Sequence, residues 1–151
     1  MYNSDMKTYL YFAYGLNTNV DSMGNRCPAA LSLGSAILPN YQYRFSRHAD
    51  VVPNSDSEVL GVLWDITADC LESLDILEGY PDYYERKIVD VIHGGQVKQA
   101  LVYYMTPGLV DAPPSDSYLN MVVEGFEQHG VDTKQIFKAL ELSKGEPFCL
   151  G

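Results

Sequence analysis

The chain is poor in most of the features that announce a function. It carries 10 basic against 20 acidic residues, for a formal net charge of −10. No cluster of lysine or arginine interrupts that acidity. The phosphate neutralisation that supplies most nucleic-acid affinity therefore has no footprint, and nucleic acid is not expected as a partner. No stretch approaches the ~20 apolar residues that cross a bilayer, and the first residues lack the basic end and apolar core of a secretion signal, so no membrane association is expected. Cysteine is scarce. Cys27, Cys70 and Cys149 make an odd number without metal-ligand spacing, which a reducing cytoplasm accommodates most easily. Nicotinamide, phosphate and metal motifs are missing, and so are internal repeats and low-complexity tracts. Asp50, Asp56 and Glu58 bring acids together without the regular ligand spacing of a calcium loop.

What remains is an ordinary globular composition of 151 residues, 46 % of them hydrophobic. A single domain over residues 1–151 is the simplest organisation, burying about 68–70 % of the surface of its unfolded chain. The pattern reads as α+β. Strands are expected at 8–13, 30–38, 41–46, 58–66, 84–92 and 97–105, the last two joined by a Gly94-Gly95 hairpin. Helices are expected at 19–25, 68–78, 115–129 and 133–143, the last capped by Asp132 or Thr133. Residues 47–57, with Pro53-Asn54-Ser55-Asp56-Ser57, and residues 106–114 read as loops, the first of them mobile.

Two segments carry chemistry. Tyr9-Leu10-Tyr11-Phe12-Ala13 is an uninterrupted strand that runs into Tyr14-Gly15-Leu16-Asn17. A strand turning on glycine can aim successive backbone N–H groups into one concavity, a nest for carboxylates or phosphates. The bland alternative is a plain strand-to-helix turn. The second segment is the helix that starts at Thr67-Ala68-Asp69 and stops at Gly79, with Pro81 beyond. Glu78 lies seven residues after Leu71 and four after Leu74, so it shares their inward face. A carboxylate forced inward is either paired or raised in pKa, and a pKa near neutrality suits a general acid/base. The alternative is a frayed last turn with Glu78 swung out beside Arg86. Cys27 and His48 have the chemistry of a thiolate–imidazole pair, but nothing in the sequence brings them together. His93 falls at a hairpin tip and His129 in a helix's last turn, where a cation suits the dipole.

These segments also carry a resemblance. Tyr11-Phe12-Ala13-Tyr14-Gly15-Leu16-Asn17 is similar to the Tyr-Phe-Ala-Tyr-Gly-Ser-Asn stretch of the gamma-glutamylcyclotransferase-like (AIG2-like) superfamily. Leu74-Asp75-Ile76-Leu77-Glu78-Gly79 resembles that family's Leu-Asp-x-x-Glu-Gly stretch, which holds its catalytic glutamate. Arg26-Cys27-Pro28, Gly61 to Ile66, Ala100 to Met105 and Pro114 to Leu119 extend the likeness over roughly residues 9 to 131. One position departs: the serine after glycine is Leu16 here.

The resemblance implies a small mixed β-barrel with flanking helices, the Gly15 turn and Glu78 at one mouth. It implies an enzyme that folds a gamma-glutamyl amine or amino acid back on itself, so that its α-amine attacks the distant amide carbonyl. The products are 5-oxoproline and a free amine, and the reaction needs no cofactor or metal. On this reading the backbone amides of Tyr14, Gly15, Leu16 and Asn17 hold the substrate carboxylate or a developing oxyanion, Glu78 shuttles the proton, and Tyr118 touches substrate. Tyr84 and Tyr104 are further candidates for the pocket lining. The competing class is a non-catalytic binding protein on the same scaffold, with Leu16 as the mark of lost catalysis.

Overall fold

The computed structural model describes residues 7–145. Its backbone is dominated by one long hairpin, strands β2 (Leu31–Ser46) and β3 (His48–Thr67). The expected loop at 47–57 is therefore strand for most of its length. Arg47 makes the reversal alone, at φ 66°, between the paired Ser46 and His48. Pairing then continues to Tyr41 opposite Pro53. The polar run keeps some of its loop character: the register slips between Pro39 and Tyr41, and residues 54–57 bulge from the ladder. The two strands expected at 30–38 and 41–46 are one strand, passing through Asn40 at φ 69°.

Around this hairpin stand β1 (Thr8–Ala13), β4 (Tyr84–His93) and β5 (Gln96–Met105), and the sheet closes as a barrel in the order β1-β3-β2-β4-β5. All neighbours are antiparallel except β1 and β5, which pair in parallel at Tyr11 and Leu101, so the barrel is mixed, as the resemblance implies. Gly94 and Gly95, at φ 59° and 76°, supply the β4–β5 turn. Phe12, Phe45, Val59, Val62, Leu63, Ile66 and Val91 are sealed from solvent in the core.

Among the described residues four α-helices flank the barrel: α1 (Val20–Arg26), α2 (Ala68–Glu78), α3 (Asp116–Gln128) and α4 (Lys134–Ser143). Their starts follow local chemistry. The Asn19 side chain accepts from the Asp21 and Ser22 amides, Thr67 from Cys70, and Ser115 from Tyr118. At α4 the Asp132 carboxylate takes the Lys134 amide, and Thr133 makes no side-chain cap. Gly79, at φ 68°, ends α2 with the Tyr80 amide donating to the Asp75 carbonyl. The 106–114 segment has no regular structure but is pinned to the hairpin: Ala112 exchanges backbone hydrogen bonds with Phe45 and Arg47, and Arg44 reaches Asp111.

The cysteines differ from expectation. An odd count points to a reducing compartment, yet the fold brings the end of α1 against the first turn of α2 and joins Cys27 to Cys70 as a disulfide, Cα atoms 5.2 Å apart. That bond also removes Cys27 from any pairing with His48. Cys149 lies outside the described residues. Among the described residues, no helix is long and apolar enough to cross a membrane.

Helix α3 packs onto the segment after β1 through Gly125. A Cβ there would collide with the Thr18 hydroxyl and come within 2.6 Å of the Asn19 nitrogen. Gly125→Ala is expected to cost about 1–3 kcal/mol by overpacking. At ~2–4 °C per kcal/mol for a chain of this size, the thermal midpoint should fall by several degrees. An unchanged midpoint would show that this approach is not tight in solution.

Candidate active site

Where β1 ends, the chain turns through Tyr14 and Gly15 into a single 3-10 turn, Leu16–Thr18. The Thr18 and Asn19 amides close that turn on the Gly15 and Leu16 carbonyls. They are therefore consumed, and the nest is narrower than a run of free amides would make it. Gly15 is needed for space rather than for a left-handed backbone. Its φ is −120°, but a Cβ would stand 3.0 Å from the Tyr118 hydroxyl and 3.1 Å from the Ala49 Cβ.

Beside this turn lies a cavity of about 210 Å³. Tyr14, Gly15, Leu16 and Asn17 line one part of it, and Glu78 and Leu77 another. The predicted face of α2 holds: Leu74 is fully buried, Leu71 packs on the core, and Glu78 turns inward with them. Asn17 bridges the two segments. Its Nδ2 donates to Glu78 Oε2 at 3.3 Å and to the Tyr11 hydroxyl at 3.0 Å, while its Oδ1 accepts from Arg26 at 3.0 Å. Burial pushes the Glu78 carboxyl up to about 7, against the opposing pull of the Arg26 charge and the Asn17 amide. Glu78 does not pair with Arg86, whose guanidinium instead meets Asp75 at 2.5 Å.

The remaining wall is phenolic. Tyr84 and Tyr118 line the cavity as expected. Tyr104 does not: its hydroxyl turns to Glu85 at 3.3 Å, and the Lys87 ammonium lies 4.5 Å above its ring, away from the cavity. Its neighbour Tyr103 is the lining residue. Consecutive strand side chains face opposite ways, so choosing Tyr104 excluded the correct one. Arg26, Tyr11, Tyr83 and His48 also line the cavity and escaped the sequence reading as site residues. Arg26 had a signal, since its Arg-Cys-Pro stretch already carries the resemblance. His48 had none, because it depends on the hairpin reversal at Arg47. It sits at the mouth with Nδ1 3.0 Å from the Tyr83 hydroxyl, and its pKa is lowered by partial burial and then by the Arg47 charge. Asp50 is buried, accepting from Arg44 at 2.8 Å and from the Met105 amide at 2.8 Å.

The arrangement places one carboxyl able to exchange a proton near neutral pH, one guanidinium and several phenols around a space that admits a small polar molecule. The sequence pattern of the family described as gamma-glutamyl cyclotransferase, AIG2-like, matches residues 11–126. The gamma-glutamylcyclotransferase of Homo sapiens is 27 % identical over 153 residues, covering 91 % of this chain and 81 % of that protein. The Mus musculus gamma-glutamylcyclotransferase is 27 % identical over 151 residues, covering 89 % and 80 %. A solved structure of a gamma-glutamyl cyclotransferase superposes with a TM-score of 0.78 at 27 % identity, over 95 % of this chain and 91 % of that one. The yeast gamma-glutamyl cyclotransferase specific to glutathione, 12 % identical with a TM-score of 0.60 over 91 % of this chain and 96 % of that one, shares the fold. With the pattern covering most of its length and relatives aligned along nearly all of it, the chain belongs to the gamma-glutamyl cyclotransferase, AIG2-like family.

Proposed function

We propose that this chain cyclises a gamma-glutamyl amine or gamma-glutamyl amino acid to 5-oxoproline and releases the amine. The observation that carries this reading is the inward Glu78, held 3.3 Å from the Asn17 amide, with a carboxyl that titrates at about 7. An α-ammonium is no nucleophile until it loses a proton, and a carboxylate of this basicity takes it. The same group, once protonated, returns the proton to the departing nitrogen. A small enclosed space favours the folded-back substrate, and tethering can remove ~7–11 kcal/mol of barrier in the best intramolecular cases. Arg26 is the cation lining the cavity and gives the substrate's α-carboxylate a charged partner beside the Gly15 turn. Leu16 fits this role assignment, because the turn contributes backbone there, and leucine has the same amide as serine. No redox cofactor or metal enters the scheme. Cytoplasmic residence, read from the cysteine number, sits uneasily with the Cys27–Cys70 bond, because a reducing compartment keeps such pairs open.

Glu78→Gln should lower 5-oxoproline release by about 10²–10⁴-fold while leaving ligand binding measurable by calorimetry. In the wild type, log kcat/KM should climb with pH and level off above about 7, where Glu78 is ionised. Turnover by the variant equal to wild type would remove Glu78 from the reaction.

Arg26 holds the Glu78 pKa down. Arg26→Met should therefore move the rising limb of that profile to higher pH and raise KM. A profile that stays put would uncouple the two groups.

The same shift bears on stability. The folded carboxyl titrates at about 7 against 4.5 for the ordinary group, so the protonated form is favoured by folding. The stabilising contribution is complete below 4.5 and lost as pH rises through about 7. Above that the wild type bears the cost of a buried charge, at most about 3 kcal/mol. Glu78→Gln should raise the thermal midpoint at about pH 8.5 and bring little gain at about pH 5. A variant less stable than wild type at the higher pH would contradict the assigned burial cost.

A further inference from the structure

The phenols around the cavity are not equivalent, because the backbone decides which of them still owns a proton to give. A hydroxyl facing a carbonyl or carboxylate must donate, and a hydroxyl facing an amide N–H must accept. The Tyr84 hydroxyl lies 2.6 Å from the Ala49 carbonyl, so its proton is spent there. The Tyr103 hydroxyl spends its proton on Asp75 Oδ1 at 2.6 Å. Tyr84 thus offers the cavity only lone pairs, whereas the Tyr103 hydroxyl is directed at the Asp75–Arg86 ion pair, which does not line the cavity. Tyr118 is the reverse case. Its oxygen accepts the Ala49 amide at 3.1 Å, and the Leu16 amide acts on the same oxygen. Among the described residues no acceptor takes the Tyr118 proton. The hydroxyl rests against Gly15, so this unspent donor stands at the glycine turn. An amide donating into a phenol oxygen strengthens that phenol's own O–H as a donor, since hydrogen bonds in a chain polarise one another. Tyr11 also has an unspent proton, but its oxygen is held by the same Asn17 amide that holds Glu78, so it belongs to the carboxyl's side of the cavity.

We infer that Tyr118 is the oxyanion donor of the cyclisation, and that Tyr84 is the acceptor that seats the substrate's α-ammonium. The assignment rests on the proposed cyclotransferase reading and orients the substrate within it. The ammonium lies against Tyr84 and Glu78, and the gamma-carbonyl oxygen against Tyr118. Glu78 takes one ammonium proton. The freed nitrogen pair forms the bond to the gamma-carbon, and the carbonyl π pair moves to oxygen, where Tyr118 donates a hydrogen bond without surrendering its proton. Glu78 gives the proton it took to the leaving nitrogen as the oxygen pair re-forms the carbonyl and the bond from the gamma-carbon to the leaving nitrogen breaks. Glu78, ionised again, takes the second proton from the now cationic ring nitrogen, leaving the lactam N–H, and passes it to the released amine, which departs as an ammonium. Binding of the charge that develops on oxygen is needed in the transition state, whereas binding of the ammonium is already made in the ground state.

The two roles separate in kinetics. Tyr118→Phe should lower kcat by about 10²–10³-fold with KM nearly unchanged, the cost of one oxyanion donor. Tyr84→Phe should leave kcat near wild type and raise KM by roughly 10–100-fold, the cost of one hydrogen bond to a charged group. Both substitutions disturb the backbone of the same residue, Ala49, one at its N–H and one at its carbonyl, so a merely structural role would make the two variants look alike, and thermal midpoints would report any general loss of fold. Calorimetric titration with 5-oxoproline gives a second readout that needs no turnover: the lactam carbonyl should bind more weakly to Tyr118→Phe. The assignment is overturned if Tyr118→Phe keeps kcat within about threefold of wild type, if both variants lose kcat alike, or if 5-oxoproline binds Tyr118→Phe as well as wild type. Wild-type protein that binds 5-oxoproline but forms none from a panel of gamma-glutamyl compounds sinks the cyclotransferase reading while leaving the donor assignment to the binding result. Wild-type protein that neither binds 5-oxoproline nor forms it sinks both.

Discussion

The site depends on keeping one carboxyl group out of water without neutralising it outright. Desolvation drives Glu78 toward its protonated form, and a full ion pair would drive it back to a permanently charged, weakly basic one. The fold settles between these. Asn17 stands between Arg26 and Glu78, accepting from the guanidinium at 3.0 Å and donating to the carboxyl at 3.3 Å. The cation is near enough to lower the Glu78 pKa, but it meets the amide of Asn17 rather than the carboxyl. Because Asn17 is itself buried, moving it would leave several polar groups unpaired at once.

That arrangement draws on segments far apart in the chain. Asn17 follows β1, Arg26 ends α1, and Glu78 ends α2. The Cys27–Cys70 bond ties the end of α1 to the start of α2. Helix α3 reaches the same place because Gly125 lets it lie directly on Thr18 and Asn19, where the Asn19 side chain also bonds the Met121 carbonyl and Glu124. That contact brings Tyr118 onto Gly15. The β2–β3 hairpin contributes Ala49, whose N–H and carbonyl meet two phenols with opposite polarity. The pinned 106–114 segment steadies the same hairpin end through Ser46 and Arg44.

Much of this was legible where the signal is local. The inward face of α2 follows from Leu71, Leu74 and Glu78 at helical spacing, and its stop from Gly79. The β4–β5 turn follows from Gly94-Gly95, and the helix starts from their capping side chains. The failures share a cause. Residues 48–53 read as loop because they run into Pro53-Asn54-Ser55-Asp56-Ser57, which outweighs the short Val51-Val52 signal, yet they are held by pairing with residues 41–46, a contact that no local propensity reports. Nothing in Tyr103-Tyr104 says which side of the strand meets the cavity, and only the closed barrel puts Tyr103 there. The role of Gly15 was read as conformational when it is steric, and the object it makes room for lies a hundred residues away.

The sequence by itself determined the α+β class, the glycine turn, the inward glutamate and, through its motifs, the family. These depend on periodicity, caps and short stretches that a single pass along the chain contains. Only the tertiary structure decided that Arg26 and Asn17 set the basicity of Glu78, that Cys27 meets Cys70, and which phenols retain a proton. Each of those depends on a desolvated contact between residues remote in sequence, and burial and hydrogen-bond direction exist only once the barrel has closed.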